Sequence, residues 1–278
     1  MSPVARSSRF GTFLWPILAW VLALLFFFPI FWMVLTSFKT DADAVKPEFL
    51  FFFTPTLENY FNMTENYDYW RFAINSGITS VFATLFTLFV GVPAAYAMAF
   101  NPSRHTKDIL VWMLSTKMLP AAAVLYPMTF LTKNMLGLFD THFLVIMVLS
   151  LINLPIVIWM LFTYFKEIPK EIIEAGKMDG VSFWSEMGDI VLPLAWGGLA
   201  STALLCFIFC WNEAYWTVRL TTTDAATLSK LIEGNRAPEG LFFGRLSAVS
   251  TAAVGPIVVL GWFCQKQLVR GLTFGAVK

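Results

Sequence analysis

Six long apolar runs, separated by short polar segments, dominate the chain. A helix crosses the hydrocarbon of a bilayer with ~20 apolar residues, because every backbone N–H and C=O must be paired internally. The first run extends from about Phe13 to Phe38 without a charge. Arg6 and Arg9 precede it as in a signal peptide, but no small-residue cleavage site follows and the run is too long, so it reads as a retained anchor. The second, Phe72–Phe100, is closed by Pro102, and the third, about Ile109–Leu131, is interrupted only by Lys117. The fourth, His142–Phe165, contains Asn153 and Pro155. The fifth, about Leu194–Val218, carries Asn212 and Glu213, and the sixth, Leu246–Leu268, holds Gly255–Pro256. Trp15, Trp70, Trp112, Tyr164 and Trp216 near the run ends suit an interfacial belt. The run Phe49–Phe53 is too short to span and is expected at the membrane surface or against neighbouring helices.

Composition strengthens this pattern. Hydrophobic residues make up 58% of the chain and charged ones 13%, against roughly 25% charged in soluble domains. The expectation is an all-α membrane protein, a single transmembrane domain with six spans. The net charge of +1 says nothing about nucleic acid, but no basic run is present that could follow a phosphate backbone, and no nucleic-acid partner is expected. Cys206, Cys210 and Cys264 lie in apolar runs, and no His or further Cys completes a metal site, so they read as small buried hydrophobes.

Charge counting says little about orientation. With the N-terminus inside, the inner segments carry ten basic residues and the outer ones eight, a weak margin for the positive-inside rule.

The most charged stretch lies between the fourth and fifth spans, at about 166–193. Pro169 suits the first position of a helix. Ile168, Ile172, Ala175 and Gly176 then share one face, while Lys170 and Glu174 pair at i,i+4 on another. Gly180 suits a left-handed helix end, and Ser182 caps a second helix with an apolar stripe of Phe183, Met187, Ile190 and Val191. Leu192–Pro193 stops it. An amphipathic helix–turn–helix results, and periodicity alone fits a hairpin lying on lipid equally well.

Spacing adds a second reading. Glu174-Ala175-Gly176-x-x-Asp179-Gly180, followed by Ile190-x-Leu192-Pro193, resembles the EAA loop of binding-protein-dependent ABC permeases. Gly176 stands where Ala is usual and Met187 where an aromatic is common. Pro55-Thr-Leu-Glu-Asn-Tyr60, Lys117-Met118-x-Pro120, Asn153-Leu154-Pro155 and Trp211-Asn212-Glu213 are similar to further segments of that family. Val269-Arg-Gly-Leu-Thr-x-Gly-Ala-Val-Lys278 resembles the tail of its carbohydrate branch, in the maltose-type second permease subunit. Within that branch the Lys117–Asp140 region is most similar to mannitol- and sorbitol-type permeases.

The resemblance implies the type I ABC importer permease fold in a bacterial inner membrane, with both termini cytoplasmic. It also implies that Glu174, Ala175, Gly176, Asp179, Gly180, Ile190 and Pro193 form an ATPase-coupling segment. Its partners would be a second homologous permease, two copies of a cytoplasmic ATPase, an extracytoplasmic sugar-binding protein and membrane lipid. The implied cargo is a sugar or sugar alcohol.

The chain lacks its own engine. Gly176-Lys177 is the nearest approach to a phosphate-cradling loop, but Met178 follows and Glu171 stands where the first Gly is required. ATP and Mg are therefore expected on the partner ATPase, and neither a catalytic constellation nor a metal cluster marks an enzyme. Asn153, Asn212, Glu213, Lys117 and Tyr126 are the candidates for a substrate pathway, since ionisable groups at membrane depth need a reason. Each also has a structural reading: Asn212 and Glu213 bonding neighbouring spans or Lys117, Lys117 paired with an acid, and Asn153 satisfying the kink at Pro155. An ion-driven secondary transporter or channel working through Glu213 and Lys117 is the alternative class. An ABC permease for a peptide or another small solute is the alternative cargo.

Overall fold

The computed structural model describes residues 9–46, 51–236 and 242–272, with side chains at 14–46, 51–236 and 242–265. Every regular element among them is helical. The principal ones are α1 (Arg9–Ser37), α2 (Glu58–Asn66), α3 (Tyr69–Phe100), α4 (Thr106–Thr116), α5 (Ala121–Phe130), α6 (His142–Phe165), α7 (Lys170–Met178), α8 (Trp196–Asn212), α9 (Tyr215–Leu220) and α10 (Phe243–Leu272). Tail residues Thr273–Lys278, and Phe49 and Leu50 of the short apolar run, lie outside the described residues.

Four helices are long and apolar enough to cross a membrane: Leu14–Ser37, Tyr69–Phe100, His142–Phe165 and Phe243–Gln265. The third and fifth apolar runs are broken instead. Thr106–Thr116 and Ala121–Met135 meet at 83°, and Phe183–Leu194 and Trp196–Asn212 at 85°. Counting each bent pair as one span gives six. Proline explains the first elbow. It has no N–H to donate, and it pushes the preceding residue out of helical geometry, so α4 ends at Thr116 and the chain restarts after Pro120.

The chain divides into two compact units, Met1–Asp68 with Gly234–Ala252, and Tyr69–Glu233 with Ala253–Lys278. In the first, Asn59 on α2 donates to the carbonyls of Ser37 (3.0 Å) and Lys39 (2.7 Å), which the end of α1 leaves open. Lys39 is buried, with Nζ 4.1 Å from the Trp32 ring centroid. Burial holds its pKa below the usual lysine value, opposed by the charge of Asp43.

In the second unit α3, α6 and α8 enclose the core. Along α3 the buried positions are mostly small: Ser76, Thr79, Ser80, Ala83, Thr84, Thr87, Gly91, Ala95 and Ala99. Water is no driving force between helices in lipid, and small residues allow the close approach that dispersion needs. A Cβ on Gly91 would stand 3.1 Å from Val157 Cγ1 of α6. Hydroxyls of Thr79, Thr84 and Thr87 donate to carbonyls one turn back, at 2.7 Å each, so these polar groups are satisfied within the helix. Cys206 and Cys210 of α8 are buried in the same core.

Candidate functional site: a membrane cavity and an amphipathic segment

Two places collect the residues singled out from the sequence. The first is a cavity of about 600 Å³ beside the α4–α5 elbow, walled by α5, α6 and α8. Its polar lining is Thr116, Lys117, Asn153, Asn212 and Glu213, set among Phe209, Trp216, Val148, Leu151 and Ile156. Tyr126 is 79% exposed and does not line it.

Local backbone breaks place these groups. Lys117 is the C-cap of α4, the last helical residue before the turn to Pro120. Glu213 ends α8 in an extended conformation (φ −70°, ψ 113°), and its carboxylate Oε1 accepts the Trp216 N–H at 3.0 Å, capping α9. Asn212 Nδ2 donates to Ile208 O (2.9 Å) within its own helix. Asn212 and Glu213 thus bond locally rather than to neighbouring spans.

The expected acid partner of Lys117 is not found. Among the described residues the ion pairs are Lys46–Asp43 and Arg71–Asp224. Lys117 Nζ instead lies 5.7 Å from the Phe209 ring centroid, within cation–π range. Asn153 is buried, and its Nδ2 donates to Leu149 O (2.9 Å) and towards Cys210 Sγ (3.4 Å). Its bond is therefore not to the carbonyl of Leu151, the one that Pro155 cannot meet with an N–H.

The second place is the segment between α6 and α8. Pro169 stands one position before the helix expected of it, as the N-cap of α7. Ile173 and Gly176 are the buried residues of α7, while Ile172 and Ala175 face outward. This corrects the expected face. Gly176 lies against Ile190, where an added Cβ would stand 3.0 Å from Cδ1. The expected Lys170–Glu174 ion pair does not form. Gly180 has φ +75°, the left-handed conformation that favours glycine. Ser182 Oγ then accepts the Ser185 N–H at 3.4 Å.

The second half is a short helix, Phe183–Ser185, continued by a π-helical stretch, Glu186–Val191, and by Leu192–Leu194. Met187 and Val191 are buried, whereas Phe183 is exposed. Around the turn, Met178 (87% exposed) and Trp184 (70%) project from a surface that also carries Glu174, Lys177 and Asp179.

Sequence reasoning overlooked two clusters. Glu186, within the amphipathic segment, is buried and accepts a hydrogen bond from the Tyr96 hydroxyl of α3. Away from the cavity, Asp140 (φ 58°) accepts from the Thr222 hydroxyl (2.5 Å) and from the N–H groups of Thr223 (2.8 Å), Asp224 (3.1 Å) and Ala225 (3.2 Å). Burial opposes its charge, but these bonds outweigh it and hold the carboxyl well below the usual carboxylate range. Nearby, Asn75 Nδ2 donates to the carbonyls of Asp224 and Ala226, and its Oδ1 lies 2.8 Å from His142 Nε2. An acid directly before the Thr141 cap of an apolar run was the available signal for Asp140.

A helical membrane subunit with a bent-span cavity and an exposed amphipathic turn is the architecture of an ABC importer permease. The chain belongs to the family described as binding-protein-dependent transport system inner membrane component, whose pattern matches residues 91–273. Its members are transport subunits rather than enzymes, and they work with an ATPase and a substrate-binding protein. A probable ABC transporter permease protein of Sinorhizobium fredii is 31% identical over 100% of this chain and 99% of its own. The trehalose transport system permease SugB of Mycobacterium tuberculosis is 31% identical over 90% of this chain and 92% of its own. The trehalose/maltose permease MalG of Thermococcus litoralis is 31% identical over 93% and 94%. Among solved structures, a bacterial ABC transporter involved in importing the acidic polysaccharide alginate shares the fold. Its TM-score is 0.77 at 23% identity, covering 96% of this chain and 99% of that one.

Proposed function

We propose that this chain is one of two different permease subunits of an ATP-driven carbohydrate importer. The exposed turn around Gly180 carries the reading. Met178 and Trp184 give it an apolar centre, and Glu174, Lys177 and Asp179 a charged rim, the composition of a protein-docking patch. In this reading the turn docks on a cytoplasmic ATPase, two copies of which hold ATP and Mg. Docking sets the orientation, with both chain termini in the cytoplasm of a bacterial cell and a binding protein delivering cargo from the other side. Glu174, Ala175, Gly176, Asp179, Gly180, Ile190 and Pro193 form the coupling segment. Lys117, Asn153, Asn212 and Glu213 line part of the substrate path, where Phe209 and Trp216 offer faces for the apolar side of a sugar ring.

The relatives named for trehalose and maltose support a disaccharide or oligosaccharide as cargo. A mannitol- or sorbitol-like polyol, suggested by the Lys117–Asp140 region, ranks second. The test is co-expression with its cognate ATPase, second permease and binding protein, identified by co-purification, then uptake of labelled trehalose, maltose and mannitol into vesicles. Saturable uptake of a disaccharide that requires internal ATP is expected. Uptake driven by an ion gradient without the ATPase would overturn the reading in favour of a secondary transporter.

A further inference from the structure

Glu186 is anomalous within its own surroundings. Met187 and Val191 beside it belong to the apolar core, and Glu186 itself is 2% exposed. Burying a carboxyl group costs free energy unless it is hydrogen-bonded, and an apolar side chain of similar size generally packs there with no loss of stability. A buried polar pair fixes position more than it stabilises.

Its partner Tyr96 is equally buried, and its ring contacts two aromatic rings, one of which leads on to a third. The edge of Phe183 meets it at 5.1 Å and 88°, and Phe100 lies 5.1 Å from it on the other side. Phe100 in turn stacks on Phe165 at 6.3 Å. Phe165 is the last residue of α6 before the amphipathic segment, and Phe183 begins that segment's second half. Tyr96 and Phe100 therefore grip the entry and the middle of the segment from one helix, α3. The only hydrogen bond in this grip runs from Tyr96 to Glu186, which opens the π-helical stretch. Such stretches recur where helices serve function. Gly176 against Ile190 completes a continuous path from α7 through the π-stretch to α3.

We propose that the Tyr96–Glu186 hydrogen bond is the positioning link that makes α3 follow the amphipathic segment when the ATPases close. The proposal rests on the coupling role assigned above and adds the route by which motion leaves the segment. Aromatic contacts slide, whereas a buried hydrogen bond has one geometry and resists sliding.

Hydrogen–deuterium exchange on the complete transporter tests it, comparing the nucleotide-free complex with the complex trapped by ATP and vanadate. Two regions are read, 170–191 and 94–101. In the natural protein, trapping changes exchange in both. In Tyr96→Phe the change at 170–191 persists and that at 94–101 falls by roughly fivefold, as expected for loss of one buried hydrogen bond. Glu186→Gln, whose amide carbonyl still accepts from Tyr96, behaves as the natural protein. Glu186→Met repeats the Tyr96→Phe result from the opposite partner and keeps the test valid if Tyr96→Phe fails to assemble. A merely structural role would raise exchange at 94–101 in both states alike, and that result, or an unchanged response in Tyr96→Phe and Glu186→Met, overturns the link. Absence of any trapping response at 170–191 in the natural protein overturns the coupling role itself, and the link with it.

Discussion

Gly198 lies flat against the ring of Tyr164: a Cβ built on the glycine would stand 2.3 Å from Cγ and 2.7 Å from both Cδ atoms. The clash falls on the root of a ring rather than on a flexible tip. The Tyr164 hydroxyl is also held, 3.2 Å from Ser201 Oγ on the same helix as Gly198. Gly198→Ala therefore forces α8 away from α6 and is expected to destabilise by about 1–3 kcal/mol. Gly197→Ala meets nothing within 4 Å and gains helix propensity, so it is neutral or stabilising by up to ~1 kcal/mol. Thermal unfolding of the two variants in detergent checks the pair. Equal midpoints would contradict the packing.

The glycines of the amphipathic segment separate folding from docking. At Gly176 the obstacle is the Ile190 methyl end, which can shift, and alanine favours the helix by ~1 kcal/mol. Gly176→Ala is expected to fold and transport normally. Gly180→Val places a β-branched residue at φ +75°, with a cost of about 1–2 kcal/mol. It is expected to weaken co-purification of the ATPase while the membrane-embedded part still folds. Undiminished ATPase capture would remove Gly180 from the docking turn.

Asp140 makes a pH prediction. Its folded pKa lies below the unfolded one, so its contribution is fully present above the unfolded carboxylate value of about 3.9. That contribution fades only as pH falls below this and through the lower folded value. Stability near neutrality is thus unaffected by the group's titration. Asp140→Ala loses the bonds to the 222–225 loop and places a Cβ-bearing residue without a local acceptor at positive φ. A loss of about 2–4 kcal/mol is expected at pH 7, shrinking below pH 4. Asp140→Asn, which tolerates the backbone and keeps one acceptor, falls between. Unfolding midpoints of the three proteins at pH 7 and pH 3.5 check the order.

Lys117 forms no ion pair among the described residues, although Glu213 lines the same cavity. Lys117→Met is therefore expected to leave the unfolding midpoint within about 2 °C of the natural protein. Sugar uptake is expected to fall about tenfold, the effect of losing ~1.4 kcal/mol of binding. A large fall in midpoint instead would mark Lys117 as a folding residue.

Local chemistry in the sequence carried far. Thr141 and Lys166 bracket an uninterrupted apolar helix at the expected residues, because cap and charge both act within one turn. Gly180 and Ser182 were legible for the same reason. The exposed face of α7 was not, since Ile172 and Ile173 are adjacent and only burial against the core selects the second. Pro120 was visible, yet an apolar run with a proline in it reads equally as a kinked span or as an 83° elbow. Glu186 lay out of reach because its partner is 90 positions away in the chain. Charge signals failed similarly at Lys117, where an aromatic ring replaces the expected acid.

The elbow at Pro120 also bears on where lipid can lie. The turn closes the last carbonyls of α4, with the N–H groups of Lys117, Met118 and Leu119 meeting Leu114, Ser115 and Thr116 O, whereas the first N–H groups of α5 have no partner along their own helix and Pro120 gives them no side-chain cap. At membrane depth each such group left facing hydrocarbon costs several kcal/mol. The flank bearing Lys117 to Pro120 must therefore look onto protein or water, although Met118 and Leu119 stand exposed on this chain alone. Acyl chains belong instead along the Phe82, Leu85 and Phe89 stripe of α3, where the backbone is closed and only hydrocarbon is offered. A single proline thus gives the subunit a lipid side and a wet side.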